Sequence, residues 1–92
     1  MSTGPESGPA DWPPAALVVD AVGLRCPMPV LELARQVASA ELTEGSDVEV
    51  LSDDPAAAAD VPAWAQMRGH AFVGSAPREA AGAVRYRVRL GG

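Results

Sequence analysis

The stretch Gly23 to Arg35, GLRCPMPVLELAR, holds the only cysteine of the chain. Cys26 stands between Arg25 and the segment Pro27-Met28-Pro29, where an amphipathic pattern begins. The thiolate, not the thiol, is the nucleophile, and a helix N-terminus favours the anion with roughly half a positive charge. Arg25 adds a full charge beside it. A residue before proline is pushed toward extended backbone, the geometry of an N-cap. Proline itself is at ease in the first helical position, where a missing N–H costs nothing. The pattern therefore predicts Cys26 as an N-cap, Pro27 as the first helical residue and Pro29 as a stiffener of the first turn. Met28 is then the nearest free amide donor for the sulfur. A lone cysteine more plainly packs as a small buried hydrophobe, but Arg25 and two prolines make burial awkward. The expectation is an exposed, reactive thiolate with a pKa below the ordinary thiol value of about 8.5.

One cysteine cannot supply both an attacking and a resolving thiol. With one histidine, His70, it is also too little for a structural zinc site. All seven basic residues are arginine, so Schiff-base chemistry and a phosphate-loop lysine are excluded. A cysteine hydrolase needs a base, and His70 is the only candidate. It follows Gly69 and reads more simply as a residue at a helix end. A lone thiolate does suit a relay: it takes a sulfane sulfur from a donor, holds it as a persulfide and yields it to the next thiol. That requires no base, metal, cofactor or second cysteine.

The elements that must position the thiol follow from periodicity. Residues Ala16 to Val22, ALVVDAV, read as a first strand ended by Gly23. From Met28 onward, Val30, Leu33, Ala34 and Val37 share one helical face. Val48 to Ser52 is a second strand. In DDPAAAADVPAWAQMRGH, Asp54 before Pro55 is a helix-start signal, and Asp60 with Pro62 repeats it. The reading is a short turn and then a second helix, with Val61, Trp64, Ala65 and Arg68 on one face and Trp64 in the core. AFVGSA and AVRYRVRL are the third and fourth strands, joined by PREAAG. In the last strand Val84, Tyr86, Val88 and Leu90 alternate with Arg85, Arg87 and Arg89. Such a stripe is usually the solvated face of a strand, available to dock an acidic partner. The order β-α-β-α-β-β predicts an α/β two-layer sandwich, a mixed four-stranded sheet with two helices on one face.

The 92 residues make one domain, and 48% hydrophobic residues suit a folded one. Residues 1–14, rich in Gly, Pro and Ser, read as a dispensable disordered tail before a domain at 15–92. Trp12 is expected to cover a patch near the first strand. Net charge of −5 argues against direct nucleic-acid binding. No apolar run approaches the roughly 20 residues of a membrane span. No basic start followed by an apolar stretch is visible, which points to the cytoplasm.

DAVGLRCPMPVLELAR closely resembles the Cys-Pro-x-Pro signature of the TusA/SirA family of small sulfur carriers. DDPAAAADVPAW followed by GH resembles that family's second block, and the likeness runs from about Leu17 to the C-terminus. The resemblance implies the same β-α-β-α-β-β fold and makes Cys26 the persulfide-bearing residue, with Arg25, Pro27, Met28 and Pro29 supporting the thiolate and its loop. It implies a sulfurtransferase whose partners are a cysteine desulfurase or other persulfide donor and a downstream acceptor protein. Family members serve tRNA thiolation, molybdenum-cofactor assembly or sulfur oxidation. Asp53, Asp54 and Asp60 form the acidic part of the second block, where helix capping is the first expectation. Some members carry a cysteine after the block's aromatic residue, where this chain has Ala65. Two other readings compete. A terminal Gly91-Gly92 is how ubiquitin-like carriers hold sulfur as a thiocarboxylate, though those open with a hairpin and a frayed end explains the glycines better. Alternatively, the arginine stripe belongs to a non-enzymatic docking module.

Overall fold

The computed structural model describes residues 12–77 and 82–91. Strand β1 (Leu17–Asp20) runs parallel to β2 (Asp47–Ser52), with Leu17 opposite Val48 and Asp20 opposite Leu51. Helix α1 (Met28–Ser39) connects them. Helix α2 (Ala57–Met67) leads to β3 (Ala71–Pro77), and β4 (Val84–Arg89) lies between β3 and β2, antiparallel to both. The sheet order is β1-β2-β4-β3. One core joins Leu33 of α1 and Val61, Trp64 and Ala65 of α2 to Val19, Val48, Val50, Tyr86 and Val88 of the sheet. Both helices thus cover the same face, as the strand and helix periods require.

Helix α2 departs from the two-step reading of its sequence. It is one helix, with Asp60 in its first turn and Pro62 inside it. Asp54 does not cap it: its carboxylate Oδ1 accepts the Ala56 N–H at 3.0 Å, and its carbonyl accepts the Ala57 N–H. That turn starts the helix before Asp60 is reached. A proline within a helix costs about 3 kcal/mol. Full burial of Ala57, Val61 and Ala65, with Trp64 nearly so, outweighs it. Arg68 is exposed and does not share the buried face.

The outer face of the sheet corrects the arginine stripe. Arg87 is 2% exposed. Its guanidinium bonds Glu49 Oε2 at 2.7 and 2.9 Å and Asp47 Oδ2 at 3.0 Å, and it also donates to the Pro13 carbonyl. Arg89 pairs with Asp47 at 2.8 Å. The register explains this, since Glu49 lies opposite Arg87 and Asp47 opposite Arg89. Asp47 and Glu49 thus neutralise Arg87 and Arg89, while Arg85 lies opposite Leu51, so the three arginines are not one uniformly solvated stripe. Arg89 beside it holds the Asp47 carboxyl below the usual carboxylate range. In β3 the pairing slips between Phe72 and Gly74, leaving Val73 as an extra residue in a bulge.

Trp12 also lies elsewhere than expected. Its ring carries the Arg87 guanidinium at 5.1 Å and that of Arg85 at 5.8 Å, over β4 and not near β1. A domain boundary at Pro14 therefore leaves out two residues, Trp12 and Pro13, that touch the sheet; residues 1–11 lie outside the described ones. A chain beginning at Ala15 is expected to lose one to two cation–π contacts, about 1–2 kcal/mol. Its thermal midpoint should fall by about 4–15 °C. An unchanged midpoint in a thermal melt would show that Trp12 adds nothing.

Candidate functional site

Parallel pairing brings the C-terminal ends of β1 and β2 side by side, so the loops that follow them must meet. The loop after β1 carries Cys26 and the loop after β2 carries Asp53 and Asp54. Asp53 Oδ1 accepts the Gly23 N–H at 2.9 Å, and Asp54 Oδ2 accepts the Cys26 N–H at 2.7 Å. The Ser52 hydroxyl in turn accepts the Asp54 N–H at 3.1 Å. The acidic block thus fastens the cysteine loop, a role beyond the helix capping expected from its sequence. These amide bonds, first that of Cys26 and then that of Ala56, hold the Asp54 carboxyl below the usual carboxylate range.

Helix α1 begins one residue later than its sequence suggests. Pro27 is the N-cap, the Cys26–Pro27 bond is cis, and Cys26 precedes the cap. The Met28 N–H is not free for sulfur, because it closes a turn onto the Arg25 carbonyl at 2.8 Å. Pro29 is buried, Arg25 and Met28 are exposed, and Cys26 is half-buried against the edge of the core. Leu24 in the same loop and Leu31 in the first turn of α1 are also exposed.

The thiol is not acidified. Burial first, then the Asp60 carboxylate accepting its S–H, then the negative charge of Asp54, push the Cys26 thiol up to about 11. The expectation of a depressed pKa counted Arg25 and the helix terminus and missed two carboxylates brought in from α2 and its entry turn. At neutral pH the sulfur is therefore a protonated thiol with carboxylates beside it. Alkylation of Cys26 is expected to accelerate with pH toward a midpoint near 11. Asp60→Asn and Asp54→Asn should each lower that midpoint, since each removes a negative charge that opposes the thiolate. The same shift adds stability below the ordinary thiol range, about 8.5, which is lost as pH rises through 11. An alkylation midpoint at or below the ordinary thiol value would contradict the placement of both acids.

Tyr86, to which the sequence pattern gave only a place in the alternation of the last strand, reaches this site from β4. Its phenol is raised by burial and then by the nearby charges of Cys26 and Asp54. His70 does not reach it. Ala71 pairs with Arg89, at the end of the sheet away from Cys26. There the His70 ring lies tilted against Trp64 with centroids 5.1 Å apart, and its Nδ1 accepts the Gly91 N–H at 3.0 Å. A side chain at Gly91 would overlap the Gly69 carbonyl. Gly91 is thus fixed, not frayed, while Gly92 lies outside the described residues. Among the described residues no group of three His, Cys, Asp or Glu could hold a metal, and no helix is long and apolar enough to cross a membrane.

This arrangement has known counterparts. The family model described as "Sulfurtransferase TusA" matches residues 17–90. The chain is 37% identical over 79 residues to a Bacillus subtilis protein described as "Putative sulfur carrier protein YrkF", covering 85% of this chain but 40% of that one. It is 42% identical over 57 residues to an Archaeoglobus fulgidus protein described as a "Putative sulfur carrier protein", covering 62% of this chain and 75% of the other. The crystal structure of a SirA-like protein from Desulfitobacterium hafniense superposes with a TM-score of 0.61 at 25% identity, over 83% of this chain and 99% of that one.

Proposed function

Because the chain belongs to the sulfurtransferase TusA family, we propose that it carries sulfane sulfur as a persulfide on Cys26. The observation that carries this reading is the one thiol of the chain, half-buried at the loop end of the sheet on a residue whose backbone N–H the Asp54 carboxylate accepts. The donor is a cysteine desulfurase or another persulfide-bearing protein or thiol. The acceptor is a second protein, in tRNA thiolation, molybdenum-cofactor assembly or other sulfur metabolism, reached in the cytoplasm.

The transfer balances as R–S–SH plus Cys26–SH giving R–SH plus Cys26–S–SH. The Cys26 sulfur attacks the outer sulfur of the donor while the Asp60 carboxylate takes the thiol proton. The donor's S–S bond breaks and its thiolate receives that proton. Delivery is the same exchange, with the acceptor thiol attacking the outer sulfur and Cys26 leaving. A sulfur of high pKa is a strong nucleophile but a slow leaving group. At neutral pH so high a pKa leaves little thiolate, so loading depends on Asp60 taking the proton, and the same high pKa makes Cys26 a slow leaving group whose release waits for a proton. The fixed Gly91 weighs against a thiocarboxylate at the chain end, and the buried Arg87 weighs against the docking-module reading.

Incubation with a cysteine desulfurase and free cysteine is expected to add one sulfur atom, removable by reductant, on the peptide containing Cys26. Sulfur found by mass spectrometry on the C-terminal glycine, or none from any persulfide donor, would overturn the reading.

A further inference from the structure

The pairing of β1 with β2 ends where the Ala21 N–H meets the Leu51 carbonyl at 2.9 Å. Beyond that point side chains join the two loops, Asp53 to Gly23 at 2.9 Å and Asp54 to Cys26 at 2.7 Å. The residue where one kind of bond gives way to the other is Ser52, the last of β2 and 1% exposed. By the period of two it shares its sheet face with Val48 and Val50, both of the core. A hydroxyl at such a position is unfavourable unless it is hydrogen-bonded, and alanine would avoid the requirement. The Ser52 Oγ accepts the Asp54 N–H at 3.1 Å, a turn in which a serine hydroxyl holds the backbone two residues on. Asp54 is then held at three points: its N–H donates to Ser52, its Oδ1 accepts the Ala56 N–H and its Oδ2 accepts the Cys26 N–H. Of these partners only Ser52 belongs to the sheet.

Resting on the persulfide reading, we propose that Ser52 is a positioning residue for the sulfur exchange: through Asp54 it fixes where the cysteine loop, and with it the Cys26 sulfur, stands against the carboxylates. Ser52 takes no part in bond-making, and the sulfur step is the exchange written above. What the hydroxyl controls is how closely negative charge is held beside the sulfur, and hence how readily that sulfur leaves. Without it the Asp54 amide loses its acceptor and the turn relaxes. The carboxylate then spends part of its time farther from Cys26, and the thiolate is opposed less.

Two comparisons isolate the hydroxyl: the parent against Ser52→Ala, and Ser52→Thr against Ser52→Val, which share one shape. A thermal melt is the folding control, and the second pair serves if the alanine variant does not fold. In each pair, loss of the hydroxyl is expected to lower the midpoint of Cys26 alkylation against pH by about half a unit, the scale of one partly exposed charge contact. Exchange of the Cys26 amide hydrogen should quicken about threefold, the same free energy read at the backbone, while that of Val50 stays as in the parent. In an Asp54→Asn background the hydroxyl should shift the midpoint no further, because its effect runs through that carboxylate. A midpoint that does not move in a folded pair, or that moves as far without the Asp54 charge, would overturn the assignment. So would unfolding of both the alanine and the valine variants while the threonine variant folds, since the hydroxyl would then be purely structural. These readings need no sulfur, so they stand apart from the carrier role. On loaded protein, variants without the hydroxyl should pass sulfur to dithiothreitol about twofold faster, the effect of half a unit in a leaving thiol. Equal discharge rates would overturn the assignment and leave Cys26 as the carrier.

Discussion

Cys26→Ser is expected to take up no sulfur at all, from any donor, while folding as the parent does. The hydroxyl is close in shape to the thiol, and the backbone N–H that Asp54 holds is unchanged by the substitution. The side chain only borders the core, so the packing lost is small. What disappears is the chemistry, because an alcohol oxygen does not form the sulfur–sulfur bond of a persulfide. A chain with a second thiol could keep residual loading; this one has none. Intact-mass measurement after exposure to a desulfurase and cysteine reads the outcome directly, with a thermal melt as the folding control. Sulfur retained by the variant would place the cargo elsewhere.

Arg87→Ala is expected to have the largest effect on stability. It removes the partner of Glu49, itself 4% exposed, and one of two partners of Asp47. Breaking a buried ion pair from one side costs about 3–5 kcal/mol, because the remaining charge is left without compensation. A domain of this length has a total stability on the order of 5–15 kcal/mol. The thermal midpoint should drop by at least about 12 °C. Replacing both partners with apolar residues, as in Arg87→Met with Glu49→Leu, should recover much of the loss, since no buried charge then remains. A melt of Arg87→Ala within a degree or two of the parent would mean that water reaches Glu49 freely.

The hydrophobic periods were enough to give the order of strands and helices, the parallel pairing of β1 with β2, and Trp64 in the core. Three things were not visible, each because it depends on register or on a distant segment. Alternating arginines look solvated until Asp47 and Glu49 are known to lie opposite them. A signal did exist, since the acids alternate in β2 with the same spacing as the arginines in β4, but nothing local aligns the two strands. The pKa of Cys26 was misjudged from neighbours in sequence alone. Burial is the largest cause, and the carboxylates that add to it, Asp54 and Asp60, are distant along the chain and are delivered by the crossing of β2 into α2. Here too the strand order held the clue, because parallel strands bring their following loops together. Trp12 sits in a segment whose composition resembles a linker, and its partners Arg85 and Arg87 belong to the last strand.

Strand β3 lies at the free edge of the sheet, with Phe72 and Val73 partly exposed. An apolar edge of this kind invites a neighbouring molecule to add its own strand, the first step toward fibres. The extra residue at Val73 breaks the even spacing of amides and carbonyls that an incoming strand must match. Pro77 at its far end offers no amide. The irregularity in β3 thus guards the open edge, so straightening it by deleting Val73 is expected to favour edge-to-edge association.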